Sequence, residues 1–62
     1  MKIVVLDYTI GEVIIRDIPK EYEKLDGDDI LTNMGFSMSN TNYMVVYDEL
    51  TININNQVLQ VK

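Results

Sequence analysis

The chain has 62 residues, ten acidic and five basic side chains, a net charge of −5 at pH 7, and neither cysteine nor histidine. A chain this short buries only about 60% of the surface its unfolded form exposes. Disulfides and the usual zinc ligands are excluded, so regular packing or oligomerisation has to supply stability.

The basic residues Lys2, Arg16, Lys20, Lys24 and Lys62 form no run, which argues against direct binding to nucleic acid, where a basic patch releases counterions. Only four apolar residues separate Lys2 from Asp7, too few for a secretory leader or a membrane span. Together with the missing cysteines this predicts a cytoplasmic protein with no membrane association.

Residues 1–19 hold the densest apolar sequence and read as a β-hairpin. Lys2 to Tyr8 and Glu12 to Ile18 are rich in Ile, Val and Leu, which suit a pleated, packed surface. Gly11 sits where a three-residue loop with a G1 bulge needs a positive φ. That loop sets Tyr8 opposite Glu12, Leu6 opposite Ile14 and Val4 opposite Arg16, with Ile3, Val5, Asp7, Val13, Ile15 and Asp17 on the other face. Both faces are then largely apolar, so the hairpin is either covered twice or presents an apolar surface to a partner.

Pro19 cannot donate to a ladder and ends the second strand. Lys20 to Leu25 has the spacing of a short or irregular helix, with Tyr22 and Leu25 on one side. Asp26 is an N-cap candidate with Asp28 and Asp29 in the first turn. Ile30, Leu31 and Met34 form an apolar stripe, and Gly35 stands at the left-handed stop position with Phe36 packing back. The pattern predicts a helix over about residues 27–34.

The polar cluster of residues 37–42 reads as a loop, and Tyr43 to Tyr47 as a short buried strand. Leu50, Ile52 and Ile54 then alternate with Thr51, Asn53 and Asn55. Asn55-Asn56 reads as a type I′ turn, placing Leu50 opposite Val61 and Ile52 opposite Leu59. The expected fold is one α+β domain over residues 1–62, a small mixed β-sheet packed on one short helix in the order ββαββ(β).

Met1 to Val5, the turn Thr9-Ile10-Gly11-Glu12, Pro19 and a helix closed by Gly35 make the first half resemble the ubiquitin-like β-grasp fold. The chain is shorter than ubiquitin, lacks a terminal Gly-Gly and carries an added residue before the turn, so conjugation is not implied. The resemblance implies that Ile3, Val5, Val13 and Ile15 face the helix, that Val4, Leu6, Tyr8 and Ile14 stay on the open face, and that Tyr43 to Tyr47 pairs parallel with the first strand. With its opening hairpin and Tyr43-Met44-Val45-Val46 strand, the chain also resembles small uncharacterised acidic proteins of gut bacteria and their mobile elements. That resemblance implies a bacterial origin and no residue roles.

Asp26-Gly27-Asp28-Asp29 invites a calcium reading, but an EF-hand loop from Asp26 wants Gly and Glu where Leu31 and Ser37 stand. A solvated helix start explains the cluster better. Asp7, Glu12, Asp17, Asp48 and Glu49 could supply acid and base only across a cleft with separated pKa values. Ser37 and Ser39 have no histidine to activate them. No enzyme activity, catalytic residue, cofactor or metal is expected.

Among the tyrosines, Tyr43 and Tyr47 bracket an apolar run and are expected to cap the core, whereas Tyr8 suits core and interface equally. Met38 is either a plug at the core edge or an exposed contact. Two functions follow. One is a protein–protein interaction module, adaptor or regulator, that homodimerises or docks on another protein through Val4, Leu6, Tyr8 and Ile14. The alternative is an acidic decoy in which Glu21, Glu23, Asp26, Asp28 and Asp29 occupy a basic nucleic-acid-binding site on another protein.

Overall fold

The branched residues of the first segment form β1 (Lys2–Asp7) and β2 (Glu12–Asp17) in the computed structural model, which describes residues Met1 to Lys62. A single 3₁₀ turn (Lys20–Tyr22) leads to α1 (Gly27–Asn33), followed by β3 (Thr41–Val46), β4 (Leu50–Ile54) and β5 (Gln57–Val61). The architecture is α+β, with a three-stranded sheet ordered β2-β1-β3 and a separate β4-β5 hairpin.

The first hairpin pairs one residue out of the expected register. Asp7 faces Glu12, Val5 faces Ile14 and Ile3 faces Arg16, because Tyr8 to Gly11 form a four-residue loop. The Asp7 carboxylate accepts the Thr9 backbone N–H at 2.9 Å, an Asx turn that starts the loop a residue early. The Tyr8 N–H then donates to the Asn40 carbonyl at 2.8 Å, on the β3 side of β1. Gly11 does adopt a positive φ, +66°. A slip of one residue turns every β2 side chain to the opposite face, so Ile14 packs on the core with Ile3 and Val5, whereas Val13 and Ile15 share the outer face with Val4 and Leu6 by strand alternation.

β3 runs antiparallel to β1, so the sheet is antiparallel throughout and the mixed sheet with its parallel pairing is not formed. The reason is the path. β2 ends beside the start of β1, and residues 18–40 cross the sheet once, delivering the chain to the Asp7 end. A strand starting there can pair with β1 only in the opposite sense.

The core consists of Ile3, Val5, Ile18, Ile30 and Leu31, with Met1, Ile14, Tyr22, Met34, Phe36, Tyr43 and Val45 packed around it. The helix ends in a full Schellman motif: the Phe36 N–H donates to Leu31 at 3.1 Å and the Gly35 N–H to Thr32 at 3.0 Å, with Gly35 at φ +91°. Asp26 occupies the N-cap with extended dihedrals, but its side chain makes no capping bond. Phe36 receives the Arg16 guanidinium 5.6 Å from its ring centre, a cation–π contact.

In the second hairpin Leu50 pairs with Val61 and Ile52 with Leu59, as expected. Asn55 and Asn56 both have positive φ, 51° and 66°, which defines a type I′ turn. Leu50 is buried apart from the core cluster, while Ile54, Val58 and Leu59 are each more than half exposed. No helix is long and apolar enough to cross a membrane.

Candidate functional site

β1 is the middle strand, so its alternate side chains decide which face of the sheet is core and which is surface. Ile3 and Val5 point to α1 and are fully buried. Lys2, Val4 and Leu6 point the other way, beside Val13, Ile15 and Asp17 on one flank and Asn42, Met44 and Val46 on the other. Exposure rises along this face. Lys2, Val4, Ile15 and Val46 are half-buried, whereas Leu6, Val13 and Met44 are 38%, 62% and 53% exposed.

At the open end lies a shallow hollow with a volume of about 260 Å³, lined by Val4, Leu6, Asn42, Tyr43 and Met44. That is smaller than the roughly 300–1,000 Å³ of most small-molecule sites. With Asn42 and Tyr43 as its only polar residues, it fits an apolar side chain better than a cofactor.

Of the four residues expected on the open face, Val4 and Leu6 are there. Tyr8 lies in the loop beyond the end of β1 and is 61% exposed. Ile14 is not on that face; the register shift turns it to the core. Val13 and Met44 take its place, and only the true loop length could have shown this for Val13.

Tyr43 packs on the core as expected, but Tyr47 lies beyond the end of β3 and is 76% exposed. Met38 is 55% exposed. The Tyr43 hydroxyl donates to an Asp28 carboxylate oxygen at 2.6 Å. That bond, then desolvation and the negative charges of Asp28 and Asp26, raises the phenol above its ordinary pKa. At the other end of the sheet Lys2 pairs with Asp17. This hydrogen bond and the ammonium charge hold the Asp17 carboxyl below its ordinary value.

Glu21, Glu23, Asp26, Asp28 and Asp29 are all exposed, on the 3₁₀ turn and α1 with their connections. No three acidic side chains converge as a metal cage would require. No family model, curated protein or solved structure matches the chain.

Proposed function

We propose that this protein is a small cytoplasmic interaction module, an adaptor or regulator without catalytic activity, that binds protein through the outer face of its three-stranded sheet. The observation that carries the reading is the apolar face of Val4, Leu6 and Met44 lining a hollow of side-chain size, with exposed Val13 beside Leu6 on the β2 flank. Such a cluster, rimmed by polar groups, is characteristic of contact surfaces. Tyr8 lies beside this end and offers a rigid, amphipathic rim. Leu6→Lys tests the reading, since it puts a charge in the middle of the face while leaving Ile3 and Val5 untouched. Association with the partner should be lost with the circular dichroism spectrum unchanged; binding that survives the charge overturns the reading.

A second reading, an acidic decoy for a basic nucleic-acid-binding site, is favoured by the exposure of the five acidic residues Glu21, Glu23, Asp26, Asp28 and Asp29. Its contact would weaken steeply as salt rises. Binding through the apolar face would not.

A further inference from the structure

We infer that the Met44 thioether is a peroxide-sensitive modification site, and that its sulfoxide takes the apolar character from the outer face of the three-stranded sheet. The modification stands on the surroundings of Met44; its consequence for binding rests on the outer-face reading above.

Sulfur chemistry in this chain falls to methionine. There is no cysteine, tryptophan or histidine, so no thiol competes for a two-electron oxidant such as hydrogen peroxide. The four methionines divide by environment. Met1 and Met34 are half-buried against the core, whereas Met38 and Met44 are each more than half exposed. Susceptibility follows exposure, which sets the second pair apart.

The two exposed methionines differ in what surrounds them. Met38 stands between Ser37 and Ser39 in the polar connection from α1 to β3. Met44 stands on β3 opposite Val4 of β1 and lines the hollow together with Val4 and Leu6. β3 is an edge strand, so Met44 has a cross-strand neighbour on one flank only, and the other flank admits the oxidant.

The reaction is an oxygen transfer. A sulfur lone pair attacks one peroxide oxygen, the O–O bond breaks as the S–O bond forms, and the displaced hydroxide takes the proton of the transferred hydroxyl and leaves as water. Sulfur is oxidised by two electrons and peroxide is reduced by the same two. A flexible apolar side chain thereby becomes a polar, chiral one. The polar lining of the hollow is confined to Asn42 and Tyr43, and the Tyr43 hydroxyl is already engaged by Asp28. An apolar group seated in the hollow offers the new oxygen no donor while displacing its water, and an acceptor left unsatisfied in this way weakens binding roughly tenfold or more. Sulfoxide reductases return the product to the thioether, so the change is reversible.

The test is treatment of the full chain with hydrogen peroxide, followed by peptide mass mapping, with Met38→Leu and Met44→Leu alongside the parent. Met44 should be converted several-fold faster than Met34; equal rates would overturn the assignment. Retention of the folded chain on a phenyl-substituted matrix then reads the apolar surface without the natural partner. At a dose that spares Met1 and Met34, oxidised Met38→Leu should elute earlier than its untreated form with an unchanged circular dichroism spectrum. Oxidised Met44→Leu, whose sulfoxide lies at Met38, should shift less, and methionine sulfoxide reductases should restore the original retention. Equal shifts in the two variants, a lost circular dichroism spectrum in oxidised Met38→Leu, or no return under the reductases would each overturn the inference. The outer-face reading fails by a different result, partner association that survives Leu6→Lys while the Met44 sulfoxide still shifts retention.

Discussion

The ring of Tyr43 lies against the α carbon of Gly27: a β carbon on that glycine would stand 2.5 Å from the Tyr43 hydroxyl oxygen and 2.6 Å from Cε2. Gly27 opens α1, where alanine has the better intrinsic propensity by about 1 kcal/mol. Contact overrides propensity here. Gly27→Ala should destabilise the fold by about 1–3 kcal/mol through overpacking, read as a lower midpoint in urea. Tyr43→Phe removes one of the two clashing atoms, so the double variant should lose less than the sum of the single losses.

The same tyrosine gives the protein an alkaline limit. Its phenol pKa is raised in the folded chain, chiefly by the hydrogen bond to Asp28. A raised folded pKa means that the stabilisation is complete below the unfolded value and is lost as pH climbs through the folded one. Ultraviolet titration should find the Tyr43 phenol ionising above its ordinary value. In Asp28→Asn that titration should move back toward the ordinary value.

Neighbouring residues of β2 should respond in opposite ways. Ile14 packs on the core, so Ile14→Ala should cost about 1–3 kcal/mol, less than a fully buried isoleucine would. Val13 is largely exposed, and Val13→Lys should stay within about 0.5 kcal/mol of the parent. Thermal midpoints of the two variants check the register directly, because a one-residue slip would reverse them.

At the second hairpin, Asn56→Gly should raise the thermal midpoint slightly. The residue sits at φ 66°, which glycine adopts without steric cost. Replacing Asn55 and Asn56 with two alanines should lower it and should reduce the amide protection of β4 and β5 first.

Local signals with a single physical meaning were legible in the chain. Gly35 with Phe36 predicts the helix stop, Asn55-Asn56 predicts the I′ turn, and Ile3 with Val5 lie on the core side as expected. The β1–β2 register was harder, because two turn signals compete. Gly11 suits a three-residue loop, yet the Asp7 carboxylate closes an Asx turn that makes it four. Which wins depends on the residue just before β3, Asn40, whose carbonyl takes up the Tyr8 N–H. The error in placing Ile14 follows from that one residue. The sense of β3 was a tertiary matter, set by a chain that crosses the sheet only once, and Tyr47 could not be told from Tyr43 by residue type.

The central place of β1 also orders events in time. Its β2 neighbour is joined to it by a short loop, whereas β3 is reached only after α1. As the chain leaves the ribosome, the first hairpin can close early, but the groups of Lys2, Val4 and Leu6 that await β3 stay unpaired until residues 41–46 emerge. Non-local pairings of this kind form late and leave strand edges open to other molecules. Refolding yield should therefore fall with chain concentration even where the finished protein remains in solution.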